Sequence, residues 1–391
     1  MKTKKHIYWV ILLIAVFSLN CSACRNQSEN DARSAISLSA PETASGEEAG
    51  TAGGKEVLKI TDCAGREVEI NRYAKKVVDL TYGDGIRTLV ELGAQNTLVG
   101  MSDMDHDLFD PEDKFSACFI IVRNVAPELR NVMNVGNHKE PNVQLIMSVE
   151  PDVIFMQRDL KQLADTLQKQ TRTPVVCLGA HGTLDLEIFR IAGKILGREE
   201  RAEELIAFSR SRIKKVTAVT DDIPEEEKPR VFFWVRPFID DPRTDGNYEP
   251  LEAAGAINVA ADAVIKPNEM FKISKEQIAA WNPEIILRHT GSKDRTVEEG
   301  WHTIESILNE PVLQGVRAVK DKKVYPTEGY QRGWDPATGI TEVLYLAKII
   351  YPERFTFLDV EKEGNEILEK FYGVDGLYTE MVDFLHLYDW D

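Results

Sequence analysis

Short, continuous apolar runs alternate with amphipathic ones along most of this chain. KKVVDL, TLVGMS, PDVIFM and PVVCLG read as buried strands. Between them DGIRTLVELGA, PNVQLIMSV and LKQLADTLQKQT repeat apolar residues every three or four positions, as helices do, and the first is closed near Gly93. A small hairpin precedes them, with strands KITD and REVEI and a turn at Cys63-Ala64-Gly65. Buried strands alternating with helices over short connections predict a mostly parallel sheet covered by helices.

Residues 185–219 break the alternation. Leu186, Phe189, Ile191, Ile195 and Leu196 form one apolar face, and Gly197 interrupts it. A second helix is predicted from about Glu199 to Val219, with Ala202, Leu205, Ile206, Ile213 and Val216 inward. After DDIPEEEKP the alternation resumes. PRVFFWV, PEIILRH and KKVYPT read as strands; PLEAAGAI, ISKEQIAAW and TGITEVLYLAKII read as helices. The tail LYTEMVDFLHLYDWD has helical spacing. The expected fold class is α/β: two lobes with mostly parallel sheets joined by one long helix. The expected bounds are 56–184 for the first lobe, 185–222 for the helical segment and 223–391 for the second lobe with its terminal helix.

The N-terminus adds a targeting signal. MKTKKH is basic, and IYWVILLIAVFSL is an apolar run of ~13 residues, short for a membrane span and suited to a signal-peptide core. Ser22 and Ala23 before Cys24 resemble the lipobox of bacterial lipoproteins, although Cys21 stands where leucine is usual and is itself the rival acceptor. This resemblance implies a signal peptide over 1–23, lipidation of Cys24 and anchoring to the outer face of the cell membrane, within the periplasm of a Gram-negative cell. Residues 24–55 contain almost no large apolar residues and read as a flexible linker. The net charge of −17 argues against a nucleic-acid partner. Cys63, Cys118 and Cys177 have no metal-site spacing, and the sequence chooses no disulfide among them.

With these elements in place, the order of segments is similar to the periplasmic binding proteins of ABC importers that carry iron–siderophore, haem and cobalamin. The matching stretches run in family order from about residue 56 to 355: ITDCAGREVEI, LVELGAQNTLVGMSD, LIMSVEPDVIFM, ILGREERAEELIAFSRSRI, ISKEQIAAWNPEIIL, VYPTEGYQRGWDP and LAKIIYPERF among them. The resemblance implies two lobes joined by one rigid helix with a ligand cleft between them. It implies a monomer with no intrinsic cofactor that captures a small-molecule metal chelate, a siderophore-like iron complex first, or else haem, cobalamin or an oxyanion such as molybdate. It also implies delivery to a membrane permease and its ATPase. Glu276, in ISKEQ, matches the acidic docking position of the second lobe. Gln144 departs from the first-lobe pattern, and Glu140, expected one helical turn earlier, is the substitute.

In such lobes the ligand lies where loops leave the carboxyl ends of strands. Those loops carry Arg158, Arg236, Arg288 and Arg332. Arginine suits an anionic ligand, because its planar fork donates paired hydrogen bonds. Each arginine alternatively pairs with a neighbouring acid such as Asp159 or Asp240. Tyr82, Trp234, Phe238, Tyr330 and Trp334 are aromatic walls, with Trp234 also readable as core. The expected ligand contacts are Tyr82, Arg158, Arg236, Tyr330, Arg332 and Trp334. Tyr82, Met101, His138 and His289 are side chains of metal-ligating type, and His138 is the candidate metal ligand among them.

A hydrolase would need a nucleophile with its base or a metal cluster. The sequence has neither G-x-S-x-G nor H-E-x-x-H, its seven histidines are scattered, and GDGIR lacks the rest of a phosphate loop. The expectation is a carrier, not an enzyme.

Overall fold

A computed structural model of the chain describes residues 57–71, 73–110, 119–179, 182, 184–235, 241–263, 270–289, 303–328 and 335–387. Cys21, Cys24, Cys118 and the linker at 24–55 lie outside the described residues.

Leu58–Thr61 (β1) and Glu67–Ile70 (β2) pair antiparallel, with Gly65 at φ 71° in the turn between them. Arg66 fastens this hairpin to the body. Its buried guanidinium donates to Asp62 Oδ2 at 3.0 Å, Asp165 Oδ1 at 2.9 Å and the Val175 carbonyl at 2.9 Å, so the charge is compensated on every side.

The first sheet gathers Val77–Leu80 (β3), Leu98–Met101 (β4), Met133–Asn134 (β5), Val153–Gln157 (β8) and Val175–Leu178 (β9). Their order is β5-β4-β3-β8-β9, all parallel. Gly136–Asn137 (β6) and Glu140–Pro141 (β7) form a two-residue ladder beside it. Helices Asp84–Glu91 (α1), Asp103–His106 (α2), Ile121–Val125 (α3), Val143–Ser148 (α4), Lys161–Thr171 (α5) and Glu187–Leu196 (α6) make the connections. Strands covered on both faces read as unbroken apolar runs, which is why VVDL and VIFM show no alternation.

The second sheet has the order β12-β10-β14-β15, built from Arg230–Trp234 (β10), Ile257–Asn258 (β12), Ile285–His289 (β14) and Val324–Thr327 (β15), again all parallel. Arg243–Thr244 (β11) and Phe271–Lys272 (β13) pair antiparallel apart from it. Its helices are Glu249–Ala253 (α8), Lys275–Trp281 (α9), Ile304–Leu308 (α10), Arg317–Lys320 (α11) and Pro336–Ile350 (α12).

Glu199–Thr220 (α7) runs between the sheets for 22 residues, roughly 33 Å. Ala202, Leu205, Ile206 and Val216 of the predicted stripe are buried, while Ile213 is half-buried. Arg201 binds three helices together. Its Nε donates to the Glu91 carbonyl at 3.2 Å, and its Nη2 donates to the Lys370 carbonyl, so it caps α1 and Val360–Tyr372 (α13) at their carbonyl ends. Leu377–Leu385 (α14) is the expected tail helix.

The sequence reading named no helix over 360–372. High charge and Gly364 obscure its stripe of Val360, Ile367, Leu368 and Phe371. The glycine is needed for packing, because a Cβ there would overlap the Tyr378 ring.

Successive strand residues point to opposite faces. Val78, Ile154 and Cys177 enter one outer core, and Phe232, Trp234 and Ile286 enter another. Their neighbours Val77, Phe155, Val176, Phe233 and Leu287 all belong to one central core, together with Leu205 and Val216 of α7 and most of α12. The inner faces of the two sheets thus share a single continuous apolar body.

Candidate functional site

The site in the first lobe forms at the carboxyl ends of β3 and β8. Leu80 pairs with Met156, so Tyr82 and Arg158 leave adjacent strands at the same level. Buried polar groups fix the turn after β3. Asp79 Oδ1 accepts the Thr81 amide at 3.2 Å, and Thr81 Oγ1 accepts the Gly85 amide at 2.6 Å. This turn holds Tyr82 at φ 70° and Gly83 at φ 105°. A left-handed tyrosine has a backbone cost, and such residues cluster at functional sites.

Tyr82 meets His138 with ring centroids 5.3 Å apart. His138 is only 7% exposed, in the turn between β6 and β7. The preceding Asn137 carries that turn, accepting the Lys139 amide at 2.9 Å and donating to Asp103 Oδ2 of α2 at 3.3 Å.

Arg158 is the most telling side chain. Its Nε lies 3.5 Å from Asp159 Oδ1, beyond a good hydrogen bond, and Asp159 is largely exposed while the arginine side chain is 12% exposed. Its Nη1 is buried and has no hydrogen-bond partner among the described residues. The expected alternative, neutralisation by Asp159, is therefore weak here. Asp84 and the Arg158 stem converge on Gly179 after β9, where a Cβ would stand 3.2 Å from Asp84 Oδ2 and 3.8 Å from Arg158 Cγ. Asp84 itself is held by Arg87 at 3.0 Å.

In the second lobe Arg288 occupies the equivalent end of β14, beside Trp234 in the register. Burial lowers its guanidinium to about 10. Trp234 is fully buried against Phe232, so it is a core residue and not a wall of the site. Met101 is likewise buried in the core and unavailable to a ligand. His289 follows Arg288 and is half-buried. Arg236, Phe238, Asp240, Tyr330, Arg332 and Trp334 lie outside the described residues. Among the described residues no group of three or more His, Cys, Asp or Glu side chains is arranged to hold a bare metal ion.

The acids around the site were missed by sequence reasoning. Burial pushes Asp79 well above the usual carboxylate range, and the nearby Asp105 adds to the shift. Glu328 is raised in the same way, by burial and then by Glu342. Burial raises Glu342 to about 8; it accepts from Tyr248 at 2.9 Å, from the Glu328 amide at 3.1 Å and from Thr327. The signal was available: Asp79 and Glu342 are lone acids at apolar positions of KKVVDL and GITEVLYL. The thiols of Cys63 and Cys177 are free, and burial raises both to about 11, away from the reactive thiolate form.

The surface positions fall less simply. Glu276 is exposed in the first turn of α9. Glu140 is exposed too, but it lies in β7 and not a helical turn before Gln144. The helix begins only after Asn142, whose side chain caps the amides of Gln144 and Leu145 at 3.1 Å.

These two sheets with a connecting helix match known proteins. The family model described as "Periplasmic binding protein" matches residues 80–330, more than half of the chain. The molybdate-binding protein MolA of Haemophilus influenzae is 26% identical over 349 residues, 80% of this chain and 90% of that protein. The Fe(3+)-citrate-binding protein YfmC of Bacillus subtilis is 24% identical over 208 residues, 50% of this chain and 59% of that protein. A periplasmic solute-binding protein from Veillonella parvula shares the fold at a TM-score of 0.64, with 20% identity over 85% of this chain and 99% of its own. The chain belongs to the periplasmic binding protein family, in its helical-backbone class, and is a solute-binding protein of the ABC transporter type.

Proposed function

We propose that the chain captures a small anionic solute between its lobes, an oxyanion of the molybdate class, and delivers it to a membrane permease driven by its ATPase. One observation carries the reading: Arg158, in the turn that follows β8, keeps a buried Nη1 with no hydrogen-bond partner among the described residues. A buried donor left unsatisfied costs about 1–3 kcal/mol, which an incoming oxyanion would recover. Arg288 supports it from the other lobe, since a guanidinium lowered by burial is restored by an anion. The molybdate-binding relative, aligned over most of both chains, points the same way.

Calorimetric titration with molybdate and tungstate should show binding that Arg158→Ala weakens without loss of fold. No binding of either anion would falsify the reading. An anionic iron chelate is the second reading, favoured by the ferric-citrate relative and by the Tyr82–His138 pair as oxygen and nitrogen donors. An absorption band on adding ferric citrate, lost in His138→Ala, would identify it. Haem and cobalamin would announce themselves as retained chromophores in fresh protein.

Two accessory roles complete the proposal. Glu276 and Glu140 dock on the permease, and unchanged transport after reversing both charges would refute this. Lipidation of Cys24, or of Cys21, anchors the protein outside the membrane; detergent-phase partitioning tests it, and recovery in the aqueous phase would exclude it.

A further inference from the structure

The two lobes meet through a buried polar contact that no ligand-binding argument requires. Glu91 ends α1 of the first lobe and is 1% exposed; Asp335, 2% exposed, caps the N-terminus of α12, accepting the Ala337 amide at 2.9 Å. The Tyr372 hydroxyl of α13 stands between them, 3.1 Å from Glu91 Oε1 and 3.2 Å from Asp335 Oδ2. A single hydroxyl proton can serve only one of these acids at a time. Glu91 Oε2 is buried with no donor among the described residues. Two ionised carboxylates so placed would repel in a medium that barely screens them. One proton on Glu91 turns the same contact into a hydrogen bond to Asp335.

We infer that Glu91 keeps a proton that it directs at Asp335 across the lobes, and that this proton-dependent strut with Tyr372 controls how readily the lobes separate. It is a positioning device, and it holds whichever solute the cleft carries.

The surroundings fit one proton, not none. On α1 the nearest cation is Arg87, already committed to Asp84 at 3.0 Å. Arg201 of α7 reaches only the Glu91 carbonyl, not its carboxyl. From α3 the one charged side chain is Arg123. The charges of α6 are engaged elsewhere, Arg190 by Glu187 and Glu203, and Lys194 by the Lys59 carbonyl. On the Asp335 side the further acid is Glu328. With Glu91 ionised, Glu91 and Asp335 would both lean on the Arg87 charge that Asp84 already engages at 3.0 Å. Glu91 is indeed held well above 4.5, by burial first and the Asp335 charge second.

The sign of the pH effect follows. A raised carboxyl stabilises the closed contact fully below its ordinary 4.5. As pH rises from there the opening constant grows about tenfold per unit, and it levels off once pH passes the raised value.

Hydrogen–deuterium exchange of the full-length protein, followed from mildly acidic to alkaline pH, tests this. Protection of residues 84–91 and 335–341, corrected for intrinsic rates, should fall with pH by about one proton more in the wild type than in Glu91→Gln, which cannot titrate. Equal slopes would overturn the inference. If Glu91→Gln does not fold, Tyr372→Phe replaces it. Losing the hydroxyl that favours ionised Glu91 should move the levelling-off to higher pH, and an unmoved profile would overturn the inference equally.

Discussion

The Tyr82 and His138 rings are inclined by 52° and in contact, although one leaves a sheet strand and the other a turn more than fifty residues later. The tyrosine keeps φ 70° to make this contact. Tyr82→Gly should therefore relieve about 1 kcal/mol of backbone cost and raise the melting temperature slightly, while solute affinity falls. A thermal melt and a titration on the same sample separate the two effects.

Arg158→Met is expected to leave the empty protein as stable as the wild type or more so, because it removes a buried guanidinium whose Nη1 no group among the described residues satisfies. Affinity for molybdate should fall by about tenfold or more. Parallel losses of stability and affinity would mean that the arginine is structural.

Gly85→Ala should fail for a local reason. A Cβ at Gly85 would overlap the Asp79 carboxylate and stand 2.9 Å from the Thr81 hydroxyl. The expected loss is about 1–3 kcal/mol, read from the midpoint of denaturant unfolding.

Glu342 titrates at about 8 in the fold against an ordinary 4.5. It is neutral in the folded protein at neutral pH and ionised in the unfolded chain. Its contribution is complete below 4.5 and is lost as pH rises to about 8, at up to about 1.4 kcal/mol per unit. Glu342→Gln should flatten this part of the stability–pH curve; an unchanged slope would show that the carboxyl is already ionised in the fold.

Strands and helices were legible because parallel sheets covered on both faces write themselves as unbroken apolar runs, as in PDVIFM and PVVCLG. Helix α13 was not, since its one interior glycine answers to Tyr378, a residue outside the helix. Within the candidate site, Tyr82, Arg158 and His138 could be named from sequence because they sit on loops, where polar residues stand out. Trp234 and Met101 were readable as site residues only because type, not depth, is visible in a sequence. Asp79, Glu91 and Glu342 were missed for the opposite reason: acids are assumed to lie in water, and these are buried among partners brought from remote segments.

The shared central core carries one last consequence. A cleft suggests two halves that can be made, melted or exchanged separately. With Phe155 of one sheet and Phe233 of the other in the same apolar body, severing the chain at α7 would strand both inner faces in water. Neither half should survive as a recombinant fragment, and heating the whole should give one calorimetric peak whose enthalpy matches the van't Hoff value. Solute that touches only the loops would then shift that single peak as a unit.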